Sequence, residues 1–177
     1  MPRAFPSLAR ELTLGVAHDL RPFVDEGYKI KPTTVTSCGR PAEIPGRVSF
    51  MGLDPNRVQE PGAAGLVTLC LCSRSTDGYL RQTALQRILP SNECWVVPFV
   101  VLLSAEYVVE MACDLAAALP NLTRQPYIDF VRENRPLMRT LCDRAISYWD
   151  CYYRAEYPDR AKYPSLVFLR ELEFWST

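Results

Sequence analysis

Proline placement limits this chain more than any other feature of its sequence. Pro90, Pro98, Pro120, Pro126, Pro136, Pro158 and Pro164 cut the second half into segments of helical length. A proline lacks an N–H and clashes with the preceding turn, so it opens or closes a helix rather than sitting inside one. Between these marks apolar residues recur every three or four positions, the period of a helix with one buried face. The spacing predicts helices over residues 79–89, 98–119, 125–133, 136–156 and 165–175. The first follows Ser75-Thr76-Asp77-Gly78, a run of N-cap residues. Connections this short make neighbouring helices antiparallel, the geometry of stacked helical hairpins.

Residues 1–67 hold the other eight prolines and are punctuated differently. Phe5, Leu8, Leu12, Val16 and Leu20 keep helical spacing up to a stop near Pro22. Short extended segments are expected at 28–31, 33–37 and 47–53, separated by turn signals such as Cys38-Gly39, Pro45-Gly46 and Asp54-Pro55-Asn56. Residues 66–72, β-rich and opened by Gly65, read as the best strand. The expected fold is α+β: an N-terminal helix and short β-strands packed on a C-terminal stack of antiparallel helical hairpins. It is expected as a single domain over 1–177, with a helix-and-strand subregion at 1–74 and a helical subregion at 75–177.

Twenty basic and twenty acidic side chains cancel, and neither half carries a marked surplus. Proteins that bind nucleic acid or anionic membranes neutralise phosphates with excess Lys and Arg, so neither partner is expected. The first residues lack the apolar run of a signal peptide. The longest uncharged apolar stretch, residues 94–105, is too short to span a bilayer, and a cytoplasmic protein is expected. The seven cysteines sit within apolar patterns and are expected as free thiols, mostly buried. No Cys-x2-Cys pair or matching Cys/His pair occurs, so neither a metal nor another cofactor is expected.

Asp77-Gly78-Tyr79-Leu80-Arg81, with Ala84-Leu85 and Ile88-Leu89 after it, resembles the first helix of a HEAT-type repeat. The resemblance implies that Leu80, Ala84, Leu85, Ile88 and Leu89 pack inward, that Asp77 caps, and that Arg81 stays at the helix surface. It also implies a partner helix over 96–119 and a second, degenerate hairpin over 124–156. Such arrays need three or more repeats to cover their faces, and the N-terminal half does not repeat. Two further strings, residues 95–110 and Ser147-Tyr148-Trp149-Asp150-Cys151-Tyr152-Tyr153-Arg154, are similar to segments of small bacterial immunity proteins encoded beside secreted polymorphic toxins. That resemblance implies a binding role without an active site.

Glu106, Glu110 and Asp114 fall at i, i+4 and i+8, on one face of the helix expected over 98–119. No Lys or Arg lies between Leu89 and Arg124. Like charges at this spacing repel, so arginines from another helix (Arg81, Arg139 or Arg144), solvent, or a basic partner must answer them. The helix at 136–156 has two adjacent apolar rows, and its polar face carries self-pairing Arg139–Asp143 and Asp150–Arg154. Its far end is crowded with aromatics that mostly finish a core, with Tyr153 and Tyr157 as possible contact residues. His18 is the only histidine and sits beside Asp19 on a polar helix side, which leaves little room for a histidine relay. The leading expectation is a non-catalytic protein-binding module whose partner is another protein, in its sharpest form a basic toxin domain occluded by an immunity protein. Glu106, Glu110, Asp114, Tyr153 and Tyr157 are the expected contact residues. The rivals are a small hydrolase or transferase using the carboxylates of Glu106 and Glu110 or a thiol, and a structural oligomer subunit.

Overall fold

The computed structural model describes residues 5, 10–25, 30–53 and 62–177, with the backbone alone at 10–13. The chain divides into two compact units: Met1–Val35 with Arg40–Ile88, and Thr36–Gly39 with Leu89–Thr177.

In the first unit, α1 spans Arg10–Leu20 and ends just before Pro22, where a 3-10 turn, Arg21–Phe23, follows. Val16 and Leu20 are buried and Leu14 is exposed; Leu8 lies outside the described residues. Strands β1 (Thr33–Ser37) and β2 (Arg40–Ile44) form an antiparallel hairpin. Its two turn residues, Cys38 and Gly39, both have positive φ, 52° and 71°. Paired positive φ values mark the tight turns whose twist matches that of the flanking strands. The other expected strands are not formed. Residues 28 and 29 lie outside the described set, 30–31 are irregular, and 47–53 supplies only single bridges, Val48 to Ser75 and Phe50 to Val24. Gly46 is required where it stands, because a Cβ there would meet the carbonyl oxygens of Ile30 at 2.6 Å and Lys31 at 2.8 Å.

The segment expected as the best strand is instead a helix, α2 (Ala63–Cys72). Gly65, Val67 and Leu69–Cys72 are all buried. A run that is apolar on every side has no period to separate strand from helix. Burial decides it: a strand so enclosed needs hydrogen-bonding neighbours, whereas a helix satisfies its own backbone. Helix α3 (Gly78–Ile88) packs on α2, as α1 does. Asp77 caps it, Oδ1 accepting from the backbone N–H of Tyr79 at 2.8 Å and Leu80 at 3.4 Å. Leu80, Ala84, Leu85 and Ile88 point inward as expected, but Arg81 does not stay at the surface. Its guanidinium is buried, and Nη1 donates to the carbonyls of Ser75 at 2.9 Å and Thr76 at 3.0 Å. One guanidinium nitrogen, with its two N–H donors, thus answers both carbonyls of this inward-turned loop.

The second unit holds α4 (Val97–Leu103), α5 (Val109–Ala118), α6 (Arg124–Glu133), α7 (Arg135–Tyr148) and α8 (Pro164–Trp175). Helix α8 contacts α5, α6 and α7, and Leu166, Phe168, Leu169 and Leu172 fill the space between them. All seven residues of α4 are buried. Fully burying side chains of this kind stabilises by about 1.5–3 kcal/mol each.

Two departures matter here. The helix expected over 98–119, which is also the partner helix implied by the HEAT-type resemblance, is broken at 104–108. Ser104 donates its hydroxyl to the Val101 carbonyl at 2.7 Å, and Val108 is extended (φ −86°, ψ 105°) before α5 begins. A hydroxyl turned back onto the preceding turn competes with helix continuation. The expected set of seven free thiols is also wrong, because Cys38 in the hairpin turn is disulfide-bonded to Cys94. Cys70, Cys72, Cys113, Cys142 and Cys151 remain thiols.

Asn134, at the joint between α6 and α7, also holds this turn region. Its Oδ1 accepts from the Thr36 N–H at 2.8 Å, and its Nδ2 donates to the Thr36 carbonyl at 2.7 Å and the Phe130 carbonyl at 2.8 Å.

Candidate functional site

The break before α5 redistributes the acidic residues. Glu106 falls in the irregular turn and is buried; Glu110 is exposed in the first turn of α5; Asp114 is half-buried one turn on. The three therefore do not form one stripe on one helix. Glu106 and Asp114 each interact within the chain, and Glu110 makes no ion pair among the described residues. A carboxylate in a first helical turn is favoured there by the unsatisfied N–H groups of the helix start. Of the arginines considered as internal answers, Arg81 directs Nη1 to two carbonyls of its own unit.

Glu110 acts on Tyr153, which belongs to a run of tyrosines. After α7 the chain continues as a π-helical turn, Trp149–Tyr153. The wider turn carries one more residue per bonded step than an α-helix and so re-aims its side chains. Tyr152 points outward, 69% exposed, while the Tyr153 hydroxyl donates to the backbone carbonyl of Tyr107. That bond fixes the turn carrying Tyr107, itself 56% exposed. The rings touch in sequence: Tyr107 to Tyr148 at 6.4 Å and 63°, then Tyr148 to Tyr152 at 6.4 Å and 33°. Tyr152 meets Tyr153 at 6.4 Å, Tyr153 stacks on buried Tyr163 at 5.5 Å, and Tyr163 meets Tyr157 at 5.6 Å. Edge-to-face and offset pairs of this kind are worth about 0.5–1.5 kcal/mol beyond the area they bury. The ladder is rooted in the core at Tyr163 and reaches solvent at Tyr107 and Tyr152.

The phenols feel this setting. Burial pushes the Tyr157 hydroxyl up to about 12, helped by its contact with the Cys113 thiol (3.9 Å) and by Glu156. Tyr153 is raised by burial first, with Glu110 and Glu156 adding to it and a backbone N–H at Val109 opposing, and Tyr163 is raised chiefly by burial. Tyr163 and Ser165 bring two fully buried hydroxyls close together, and neither has a hydrogen-bond partner of good geometry among the described residues. The Trp149 ring beside the ladder is tied by its Nε1 to the Tyr157 carbonyl at 2.8 Å. Arg154 and Arg160 lie over that ring at 5.3 and 5.8 Å, and Arg154 also pairs with Asp150 at 3.2 Å, as the polar face of this helix predicts.

Of the five expected contact residues, Glu110, Tyr153 and Tyr157 are thus brought together. Glu106 and Asp114 share the segment but are engaged by their own chain. Sequence reasoning missed Tyr107 and Tyr152 as surface residues, and Tyr148 as the half-buried ring that joins them. The signal available was their alternation with Glu106 and Asp150 at a helix end.

A concavity of about 290 Å³ beside the disulfide is lined by Cys38, Cys94, Phe130, Asp129, Arg132 and Glu133 among others. Its polar groups are largely committed: Gln125 donates to Asp129 at 2.8 Å, and Arg132 Nε donates to the Ser176 carbonyl at 3.2 Å. His18 is exposed beside Asp19 at 3.6 Å, in the first unit. Among the described residues no group of three or more His, Cys, Asp or Glu side chains is placed to hold a metal ion, and no helix is long and apolar enough to cross a membrane. Compared with family models, with curated proteins and with solved structures, the chain matches none.

Proposed function

We propose that this chain is a non-catalytic protein-binding module that docks its partner on the tyrosine ladder and Glu110. In its most specific form it is an immunity protein that occludes a cognate bacterial toxin, with its helical pairs serving as a HEAT-like scaffold. One observation carries the reading: Tyr107 and Tyr152 stand exposed within a run of ring contacts, the Tyr107 carbonyl is tied to the Tyr153 hydroxyl, and Glu110, three residues after Tyr107, makes no ion pair among the described residues. Immobile, amphipathic tyrosines are the residues that anchor interfaces, since little side-chain entropy is lost when they are covered. Exposed negative charge adds steering toward a basic partner.

The enzymatic alternative finds less support. Its two carboxylates, Glu106 and Glu110, are separated by burial: one lies in the turn interior, the other in solvent. In a reducing cytoplasm the Cys38–Cys94 bridge would open. The ladder contains no cysteine bond, so its docking role does not depend on that compartment.

The test is co-expression. The partner sought is a secreted protein encoded next to this chain whose C-terminal segment stops growth when expressed alone. The intact chain restores growth, and the double variant Tyr152→Ala, Glu110→Lys does not, although its thermal melt is unchanged. Failure of the intact chain to protect, or full protection by the double variant, overturns the reading.

A further inference from the structure

We infer that the ladder recognises one chemical group on its partner, an arginine guanidinium seated against Tyr107, Tyr148 and Tyr152 and countered by Glu110; this rests on the docking role proposed above. Trp175 carries the Arg124 guanidinium 4.9 Å from its ring centre, and Trp149 carries Arg154 at 5.3 Å and Arg160 at 5.8 Å. Both half-buried indole faces are thus covered by arginines of the chain itself. No cation lies over Tyr107, Tyr148 or Tyr152 among the described residues, although two of these rings are more exposed than either indole.

Charge points the same way. The segment between Leu89 and Arg124 has no basic residue, and Glu110 on it has no ion pair among the described residues. Glu110 stands three residues after Tyr107, in the first turn of α5, and the Tyr153 hydroxyl that feels its charge holds the Tyr107 carbonyl. Carboxylate and open rings therefore share one locality. Rings inclined at 63° and 33° to their neighbours cannot all lie flat against one smooth apolar surface. A small planar cation fits better, stacking on one face while its edge N–H groups reach a carboxylate. An ammonium, more strongly hydrated and without a plane, gains less from the same corner.

The probe is acetyl-arginine amide, compared with the neutral isostere acetyl-citrulline amide and with acetyl-lysine amide. Each is titrated into the whole chain carrying 13C-labelled tyrosine rings, with ring signals followed by NMR. Arginine amide is expected to shift the Tyr107, Tyr148 and Tyr152 signals saturably, with lysine amide weaker and citrulline amide at least tenfold weaker. Glu110→Gln and Tyr152→Leu should each weaken the arginine titration threefold or more. Tyr152→Leu keeps apolar bulk at an exposed position, and its melting temperature checks that the fold is intact. Equal responses to arginine and citrulline amides, no saturable shift, or indifference to both substitutions overturn the guanidinium assignment. The two proposals separate cleanly. Protection in co-expression that needs Tyr152 while the probe fails would leave the docking face and remove the guanidinium; probe binding without protection would do the reverse.

Discussion

Replacing Cys38 and Cys94 together by serine removes a covalent link between residues 56 apart in sequence, both within the second unit. For a loop of that size the chain-entropy relation gives about 4 kcal/mol at 25 °C, within the usual range of roughly 2–4. A second contribution sits in the turn itself. Cys38 is held at φ 52°, a region that costs an ordinary side chain about 1–2 kcal/mol and that asparagine tolerates. The pair Cys38→Ser, Cys94→Ser should therefore lose about 4 kcal/mol, and Cys38→Asn, Cys94→Ala about 1 kcal/mol less. All three tryptophans, Trp95, Trp149 and Trp175, belong to this unit, so urea unfolding followed by tryptophan fluorescence reports on it directly. A lower midpoint with an unchanged slope is expected, and the unfolded native chain should titrate five thiols without reductant and seven with it. An unchanged midpoint in both double variants, or seven thiols without reductant, would refute the bridge as a structural element. Equal losses in the two variants would refute the part assigned to the turn.

Asn134→Ala removes three hydrogen bonds, one buried and two part-buried, and strands both backbone groups of Thr36, so a loss of about 3 kcal/mol is expected by the same unfolding assay. Asn134→Asp keeps the acceptor for the Thr36 N–H but turns a carboxylate oxygen onto two carbonyls in a nearly buried site, and should lose at least as much; a neutral Asn134→Ala would show that water replaces the amide. The third test is alkaline. The Tyr157 phenol is raised to about 12 from an ordinary value near 10, so the folded state holds this proton more tightly than the unfolded state. Its stabilisation is complete below about pH 10 and disappears as pH rises through about 12, with Tyr153 and Tyr163 acting in the same direction. The urea midpoint should fall over that window, and less in Tyr157→Phe; an identical fall in the variant would deny Tyr157 its part.

Helices α1, α3, α6 and α8, and α7 up to Tyr148, are legible because local signals agree: proline at or just beyond an end, an Asp cap, apolar residues at helical spacing. Helix α2 is not, since β-branched content and unbroken hydrophobicity describe a buried strand and a buried helix equally well. The break at 104–108 has no glycine, proline, asparagine or aspartate to announce it, and only the Ser104 hydroxyl turned back on α4 marks it. This error carried over to the acidic residues, whose helical spacing held from Glu110 to Asp114 and failed at Glu106. Aromatic crowding marks Tyr153 and Tyr157 in the sequence, yet what ties Tyr153 to the segment carrying Glu110 is its bond to the Tyr107 carbonyl, a contact 46 residues long that no local pattern encodes. Cys94 paired with Cys38 for a similar reason. Only Cys38 showed a hint, standing in a turn signal while the other cysteines lay in apolar runs.

The amide of Asn134 has a consequence for self-association. In a hairpin of only two strands, each outer rim offers unpaired N–H and C=O groups to which another chain can add a strand. At Thr36 both such groups are already taken by one side chain, which imitates the peptide unit of a third strand without being one. Asn134 thus ends the sheet at that rim, and a chain lacking it would expose a template for intermolecular β-pairing as well as losing stability.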